Sequence, residues 1–297
     1  MVQTKVSGTT NKPNFKDESM NQIMINKHTI LFKYGGNAMT NQDLKSKILE
    51  NICSLKDKGY QVVIIHGGGP FIKETLKVAN IESDFVDGLR KTTPEAMEYV
   101  EMALKGKVNG RLVSIINEMG YKAVGLSGKD GQTVLAKKHL HEHMKNGKVE
   151  LVDLGQVGDV ESVDTSLIEL LLGNDYIPVI TCIASDKRGL DYNINGDLFA
   201  GHIAGALKAE QYIILTDIDG LMLDKDNPDS IIRELKLAEI NHLKEIKCIQ
   251  GGMIPKIDSC KIALAKGAKL ARIINGTVPE QIASLFENKE IGTAISA

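Results

Sequence analysis

The sequence predicts an α/β protein with a mainly parallel sheet. Short aliphatic runs such as residues 62–65 (VVII) alternate along the chain with stretches whose apolar residues recur every three to four positions. Several of these runs end directly in glycine-rich turns, as at residues 66–70 (HGGGP). Strands that alternate with helices in this way pair in parallel through right-handed crossovers, so we expect the sheet to be built from β-α-β units.

Composition excludes several classes of protein. The 297 residues carry 36 basic and 38 acidic side chains, so no overall field favours nucleic acid or an anionic membrane surface. No apolar run is long enough to span a bilayer, and the polar N-terminus lacks the apolar core of a signal peptide. The four cysteines form no CxxC pair, which favours reduced thiols. We therefore expect a cytoplasmic protein that binds neither nucleic acid nor membrane.

Residues 1–28 are polar and leave two interpretations open. Met20, Ile23 and Met24 have roughly helical spacing, which fits a helix within residues 15–25. A frayed tail fits the excess of Asn, Lys, Thr and Ser equally well. We treat the segment as an N-terminal extension that is helical in the first interpretation.

The first elements form a β-α-β unit. Residues 29–33 (TILFK) and 62–65 are predicted strands, and residues 43–58 between them have helical spacing. Each strand is followed by a glycine-rich loop, at residues 35–36 and 67–69. Glycines let backbone amides approach a ligand, and a helix that follows them adds its N-terminal dipole, so the two loops suit an anion. Structural turns explain either loop alone about as well.

The next stretch places an arginine before two helices. Residues 81–88 show no clear period, and Arg90 is predicted to lie in a loop before a helix that Thr93 caps. Apolar spacing predicts this helix over residues 94–104 and a second helix near residues 108–118. A loop arginine is usually solvated, but its planar guanidinium suits a carboxylate ligand.

Three histidines, His139, His141 and His143, alternate in the sequence HLHEH. On a strand they would share one face, where histidines can bind a metal ion. The surrounding Lys and Glu residues favour a solvated hairpin instead, so we assign no metal ligand. Residues 153–163 (DLGQVGDVESV) are typical of a hairpin punctuated by glycines.

The second half continues the alternation of strands and helices. Asn and Asp residues within 191–197 precede an Ala- and Gly-rich helix at residues 198–208. They cap that helix in the simplest interpretation and face a ligand cleft in the functional one. The other predicted elements are a helix at 164–172, strands at 177–181 and 211–216, a helix that follows residues 249–256 (IQGGMIPK), and a last strand at 271–274.

Lys33 and Lys256 stand beside glycine-rich turns that are far apart in the sequence. Phosphoryl transfer needs alignment and positive charge where the transition state spreads negative charge, and lysines with glycine-loop amides supply both. An acid such as Asp197 could hold the lysines in place. The patterns GxxxxGK[ST] and GxGxxG are absent, so a bound nucleotide needs another phosphate cradle.

Ten motifs follow one another along the chain: KYGGNAM, HGGGP, GLRKTT, GKVN, GLSGKDG, DLGQVGDVESVD, NINGD, LTDIDG, GGMIPK and IGTAI. Together they resemble the amino-acid kinase family, and within it the acetylglutamate kinases, from about residue 29 to the end. The resemblance implies an open, mainly parallel sheet of about eight strands between helices. It also implies an N-lobe at residues 29–175 that binds the acyl substrate and forms a dimer, and a C-lobe at residues 176–297 that binds ATP.

The implied reaction is the ATP-dependent phosphorylation of the side-chain carboxylate of N-acetyl-L-glutamate, the second step of arginine biosynthesis. That carboxylate is already ionised at neutral pH, so the reaction needs no general base. This agrees with the lack of an obvious catalytic histidine in the sequence.

The resemblance also implies roles for individual residues. Lys33 and Lys256 match lysines that stabilise the transferring phosphoryl group, and Asp197 matches the acid that positions both. The family holds Mg²⁺ mainly through ATP oxygens and water, so no protein ligand is implied. The remaining matches are Gly67, Gly68, Arg90 and Asn193 for the substrate, and Gly35, Gly36, Thr216, Asp217 and Gly220 for the phosphates and nucleotide.

Regulation by arginine is a further implication. Members of the family that arginine inhibits carry an N-terminal helix that links dimers into a hexamer, and a C-terminal signature around a last helix and IGT. The N-terminal extension and the sequence VPEQIASLFENKEIGTAI resemble that arrangement. We therefore expect feedback inhibition by arginine, with a homodimer or a trimer of dimers as the assembly.

Three other functions are alternatives to this one. A kinase for another acid, such as aminoadipate on a carrier protein, stays an alternative, against which the matches at Arg90 and Asn193 argue only weakly. An esterase needs a GxSxG elbow besides the glycine loop at residues 67–69, and residues 125–129 (GLSGK) do not supply one. A domain that only senses arginine would not need Lys33 and its partners.

Overall fold

The structure is a computed structural model that describes residues 28–145, 147–224, 226–287 and 289–297. The helix considered within residues 15–25 lies outside these ranges. The strands are β1 (Thr29–Tyr34), β2 (Gln61–His66), β3 (Phe85–Val86), β4 (Leu89–Arg90), β5 (Ala123–Ser127), β6 (Val134–Lys145), β7 (Lys148–Val163), β8 (Ile177–Thr181), β9 (Ile183–Ser185), β10 (Asp191–Ile194), β11 (Gln211–Thr216), β12 (Glu234–Lys236), β13 (Ala271–Asn275) and β14 (Thr293–Ser296). The α-helices are α1 (Gln42–Cys53), α2 (Gly69–Val78), α3 (Pro94–Glu101), α4 (Gly110–Glu118), α5 (Ser166–Gly173), α6 (Gly196–Ala206), α7 (Ile240–Glu245), α8 (Met253–Ala265) and α9 (Glu280–Leu285).

The main sheet contains eight strands in the order β12-β14-β13-β11-β1-β2-β8-β5. All neighbours in it are parallel except β13 and β14, which are antiparallel. The predicted mainly parallel sheet of about eight strands is therefore confirmed. Strand β8 follows the predicted lobe boundary at residue 175 but pairs with β2 and β5. The division into two lobes stays a prediction.

The central strands are buried on both faces, which is why they read as unbroken apolar runs. In β1, Leu31 belongs to one core cluster together with Phe199 of α6. Its neighbours Ile30 and Phe32 belong to a second cluster together with Ile48 of α1. Because successive side chains of a strand point to opposite faces, these clusters are the two helix-covered layers of the sandwich. Each such buried side chain contributes about 1.5–3 kcal/mol relative to exposure.

Helices α3 and α4 are parts of one continuous helix, because a π-helical segment, Met102–Asn109, joins them. The prediction of two separate helices was wrong, because the spacing of apolar residues does not reveal a π-helical segment that connects two α-helical parts. Thr93 caps α3 as predicted, and its hydroxyl accepts a hydrogen bond from the amide of Ala96. The π-helical segment ends at Asn109, whose side chain is buried.

A second, smaller sheet closes on itself from β10, β7, β6 and β9. Strands β6 and β7 form its long antiparallel hairpin, so the predicted hairpin around His141 is confirmed. Residues 153–163 were expected to form a hairpin of their own. This was wrong, because they belong to the single strand β7, which is one arm of the β6–β7 hairpin. The glycines there lie within the strand instead of at a turn.

Short strands were the main omissions. Strands β12 and β14 extend the main sheet and were not predicted. The strand at residues 271–274 was expected to be the last along the chain, and this was wrong because β14 follows it. Arg90 was expected in a loop but lies on β4, which pairs with β3 in a two-residue hairpin. Segments of two to four residues are too short for a period to be recognised.

Candidate active site

Two cavities meet at the carboxyl ends of the central strands, where parallel α/β sheets bind ligands. The larger has a volume of about 320 Å³ and the smaller about 150 Å³, and they share Lys33, Gly35 and Gly36. Ligands that filled both cavities would therefore meet at Lys33. The larger cavity is completed by residues that include Gly67, Gly68, Arg90, Asn193 and Asp197, and the smaller by Leu215, Thr216, Asp217 and Lys256.

Asp197 holds two lysines from different parts of the chain. Its Oδ1 lies 2.9 Å from Nζ of Lys33 in an ion pair. Its Oδ2 accepts a hydrogen bond of 3.2 Å from Nζ of Lys256. Lys33 lies near the end of β1, Asp197 in the first turn of α6, and Lys256 in the first turn of α8. The structure thus brings together the three residues that the sequence predicted as catalytic.

Burial and charge act in opposite directions in this cluster. Burial raises the pKa of the Asp197 carboxyl, but attraction to Lys33 and Lys256 outweighs it and holds that pKa below its ordinary value. Burial lowers the pKa of the Lys256 ammonium group, and repulsion from Lys33 lowers it further. With both lysines protonated, two positive charges face one negative charge. Arg90 in the larger cavity and Asp217 in the smaller one add one charge of each sign, so the lining keeps a net positive charge and suits an anion.

The start of α6 fixes the position of Asp197. The side chain of Asn195 accepts hydrogen bonds from the amides of Asp197 and Leu198, at 2.9 and 3.2 Å. Asp197 also lies in the first helical turn, where the helix dipole favours a carboxylate. Asn195 was not among the predicted site residues, although the motif NINGD contains it. Its capping role was the simplest interpretation of that motif and is confirmed.

The two glycine loops line the larger cavity in different ways. Gly36 has a φ of 70°, in the left-handed region that favours glycine. A Cβ atom at Gly68 would lie 2.6 Å from Cδ2 of Leu104, so a larger residue there would push against the Leu104 side chain. The amide of Gly67 donates to the carbonyl of Tyr34, at 3.2 Å. That amide is thus used within the sheet, and we expect Gly68 to supply the loop's contact with a ligand.

A buried histidine supports the second glycine loop. Nδ1 of His66 donates to the carbonyl of Gly67 at 2.9 Å, and its Nε2 accepts from Nδ2 of Asn109 at 2.9 Å. Asn109 donates to the carbonyl of Val179 as well, at 2.8 Å. Burial lowers the pKa of His66 to about 4, so the ring is neutral at physiological pH. The ring therefore serves as a structural hydrogen-bonding group, and the sequence reasoning missed its partner Asn109.

Arg90 and its hairpin form another wall of the larger cavity. The guanidinium stacks on Phe85, with 4.5 Å between Cζ and the ring centroid. It also donates to the hydroxyl of Ser83, and to the carbonyl of Gly69 at 3.4 Å. Asn193 lines the same cavity from β10. Sequence reasoning missed Phe85, whose short strand gave no signal.

The smaller cavity contains part of the predicted nucleotide loop. Thr216 is buried at the end of β11, and its hydroxyl lies 3.3 Å from Oδ1 of Asp217. Gly220 lines neither cavity and packs against Thr293, whose hydroxyl would lie 2.8 Å from a Cβ atom at Gly220. A nucleotide contact of Gly220 stays a prediction, and both this packing and a φ of 149° favour glycine there.

The donor set of the smaller cavity fits polyphosphate better than a bare metal ion. Lys33 and Lys256 offer ammonium groups, and Asp217 is the carboxylate among its lining residues. Mg²⁺ is usually bound through one or two carboxylates plus phosphate oxygens and water. A nucleotide that carried its own Mg²⁺ would therefore be held here chiefly through its phosphates.

The chain is similar to known proteins over most of its length. A family model described as the amino acid kinase family matches residues 28–275. The curated acetylglutamate kinase of Methanocaldococcus jannaschii is 44% identical over 268 residues, which are 90% of this chain and 89% of that protein.

Solved structures show the same fold. A crystal structure of a protein from Streptococcus mutans UA159 has a TM-score of 0.71 at 27% identity, over 91% of this chain and 98% of that one. The N-acetylglutamate synthase of Neisseria gonorrhoeae has a TM-score of 0.76 at 21% identity, over 94% of this chain and 61% of that one. Within the described residues, no helix has the length and apolar character that crossing a membrane requires.

Proposed function

The chain belongs to the amino acid kinase family, and we propose that it transfers the γ-phosphoryl group of ATP to the side-chain carboxylate of N-acetyl-L-glutamate. The product would be N-acetyl-L-glutamyl 5-phosphate, formed in the second step of arginine biosynthesis. One observation carries this proposal: Lys33 stands in the wall that the two cavities share, ion-paired to the same carboxylate that binds Lys256. The acetylglutamate kinases at up to 44% identity support the choice of acceptor.

In this proposal the acceptor occupies the larger cavity and ATP the smaller one. A carboxylate oxygen of the acceptor attacks the γ-phosphorus, the bond from that phosphorus to the β–γ bridging oxygen breaks, and ADP leaves with the electron pair. The acceptor is already ionised, so no proton has to be removed. Mg²⁺ bound to ATP would neutralise part of the phosphate charge.

Lys33 and Lys256 supply the positive charge that the protein contributes. The transition state spreads negative charge over the equatorial oxygens of the transferring group, and fixed donors in a site sheltered from water stabilise it. Asp197 keeps both ammonium groups in place before the substrates bind, so little reorganisation is needed during the reaction. Gly36 and Gly68 are proposed to add backbone amides on either side.

Arg90 and Asn193 are proposed to hold the α-carboxylate of the acceptor. Stacking on Phe85 fixes the plane of the Arg90 guanidinium, so its fork is oriented before a ligand arrives. Leu104 and Val157 add apolar surface to the same cavity, where an acetyl methyl group could be buried. Free glutamate would place a charged ammonium group against that surface, which disfavours it.

The direct test is ADP release from MgATP with N-acetylglutamate, glutamate, aspartate and UMP as parallel acceptors. We expect turnover only with N-acetylglutamate, because only that ligand satisfies both Arg90 and the apolar surface. Turnover with another acceptor would leave the phosphoryl-transfer site intact but reject the proposed substrate. No turnover with any acceptor would favour a protein that binds without catalysing.

We also propose feedback inhibition by arginine. A separate cavity of about 320 Å³ lies at the C-terminal segment and contains both signs of charge. Glu234 and Glu290 could pair with the guanidinium of arginine, and Lys289 and Arg233 with its carboxylate. The homodimer, or trimer of dimers, expected from the resemblance stays a prediction.

Replacing Glu290 with glutamine should raise the arginine concentration for half-inhibition at least about tenfold, since one charge-assisted hydrogen bond is worth roughly 1.5–3 kcal/mol. The measurement is the ratio of rates with and without arginine, which cancels any change in the uninhibited rate. Glu118→Gln, on an exposed helix face, is the matched control. An unchanged half-inhibitory concentration in Glu290→Gln would place the arginine site elsewhere, and an insensitive parent enzyme would remove the regulatory proposal alone.

A further inference from the structure

Two histidines of the β6–β7 hairpin and an aspartate from the β3–β4 turn point their ligand atoms at one place. Nε2 of His141 and Nδ1 of His143 each lie 2.8 Å from Oδ2 of Asp87. These three atoms all lie within 4.8 Å of one another. We propose that Asp87, His141 and His143 form a binding site for a divalent transition-metal ion of the Zn²⁺ type.

The residue types fit such an ion. Neutral imidazole and carboxylate are common ligands of Zn²⁺, and three protein ligands leave a fourth position open for water. His141 and His143 are two positions apart on β6, so their side chains share one face of the strand. Each neutral ring has one proton, which can move to the other nitrogen when the first binds a metal ion. Asp87 presents Oδ2 to both histidines, so its carboxylate is already directed at the place where an ion would bind.

The backbone presents the carboxylate to the histidines. Asp87 has a φ of 47°, a left-handed conformation that aspartate and asparagine tolerate better than most residues. The side chain of His141 is 14% exposed and that of His143 32%, so the site is partly sheltered yet open to solvent. His139, two residues before His141 on β6, pairs with Asp159 instead and is not a member of the cluster.

The site does not belong to the proposed phosphoryl-transfer machinery. Neither Asp87 nor the two histidines line the two cavities that share Lys33. Asp87 does lie at the turn of the hairpin that carries Phe85 and Arg90 into the larger cavity. A bound ion would therefore fix the tip of this cavity wall to the β6–β7 hairpin.

The base of the same wall is already fixed to β7. The amide of Thr92 donates to the carbonyl of Leu154 at 2.8 Å, and the amide of Gln156 donates to the carbonyl of Thr92 at 2.6 Å. At the tip, the link is made by the two histidine–aspartate hydrogen bonds alone among the contacts described. A bound ion would replace those hydrogen bonds with coordination bonds to the same three side chains.

The first measurement is titration of the chelator-treated full chain with Zn²⁺ by calorimetry, and with Co²⁺ by visible d–d absorption. We expect one ion per chain and a Co²⁺ spectrum with nitrogen and oxygen ligands. Asp87→Asn, His141→Gln and His143→Gln should each weaken binding by at least about a hundredfold, since even partners outside the coordination shell cost 10–100-fold. His242→Gln, an exposed histidine of α7, is the matched control and should bind as the parent does.

A second readout separates a metal site from a hydrogen-bonded cluster. Amide hydrogen exchange of residues 83–90 should slow on addition of Zn²⁺ in the parent chain and in His242→Gln, but not in His141→Gln. Asp87→Asn keeps the left-handed turn, so a loss of binding there reports the missing charge and not a misfolded hairpin. Equal Zn²⁺ affinity in all variants, or no binding by the parent, would overturn the proposal. Neither outcome depends on which acceptor the kinase uses.

Discussion

Replacing Lys33 with alanine is expected to lower kcat for ADP release by about a thousandfold, the effect of removing a donor aimed at transition-state charge. Lys33 is the cationic side chain that lines both cavities, so its charge lies where a phosphoryl group would pass between them. The change should appear mainly in kcat, because the positive charge matters most when negative charge spreads over the transferring group. The assay is steady-state turnover with N-acetylglutamate and MgATP.

Chemical rescue provides the sharpest control for this substitution. The truncated side chain leaves space beside the cavities, so methylammonium or ethylammonium should restore part of the lost rate. Lys107→Ala removes an exposed lysine that pairs with Glu74, and it should change neither the rate nor its response to amines. Unchanged turnover in Lys33→Ala, with normal unfolding, would reject the proposed role of this residue.

The sequence predicted the central strands almost to the residue, for a physical reason. β2, β8 and β11 are buried on both faces, so each one reads as an unbroken apolar run with a polar or glycine-rich end. The strands that were missed, such as β12 and β14, are three and four residues long. Their pairing depends on neighbours that are distant in the chain, which local patterns do not encode.

The candidate site divides in a similar way. Lys33 and Lys256 could be proposed because lysines beside glycine turns have a recognisable chemical meaning. Asp197 was predicted as the carboxylate that holds both lysines. The distances of 2.9 and 3.2 Å follow from the packing of α6 and α8 against the sheet. Asn109 could not be found in this way. Its role depends on a π-helical segment that places it against His66, and the spacing of apolar residues does not predict such a segment.

Asp197→Asn is expected to have the second largest effect, because it leaves two lysines without their counter-charge. The side chains of Lys33 and Lys256 are only 10% and 17% exposed. Removing one partner from a buried ion pair costs roughly 3–5 kcal/mol of the free energy of unfolding, and we expect about 3 kcal/mol near neutral pH. The loss in kcat should be at least about a hundredfold, since both ammonium groups lose their fixed positions.

In this variant, the free energy of unfolding and the activity should change in opposite directions as the pH rises. Asp197 raises the pKa of Lys256 in the parent, so its removal lets burial and Lys33 lower that pKa further. Between the folded and unfolded pKa values the unfolded chain binds more protons, so the free energy of unfolding of the variant should increase as pH rises. Activity should fall over the same range, because a neutral lysine no longer stabilises the transferring group.

In the parent the pKa of Lys256 is lowered less, because Asp197 opposes the effects of burial and Lys33, so the same alkaline change should occur at higher pH. The parent also has an acidic transition, because the pKa of Asp197 is depressed in the folded state. Its stabilising contribution is present above the unfolded pKa of aspartate, about 3.9, and is lost only as pH falls through the folded value. Chemical denaturation and kcat measured from mildly acidic to alkaline pH would compare the two proteins. Asp258→Asn, which breaks the half-exposed pair with Lys244, should cost under about 1 kcal/mol and show no such divergence. If the stability and activity of Asp197→Asn changed in parallel with pH, the carboxylate would not be what keeps Lys256 charged.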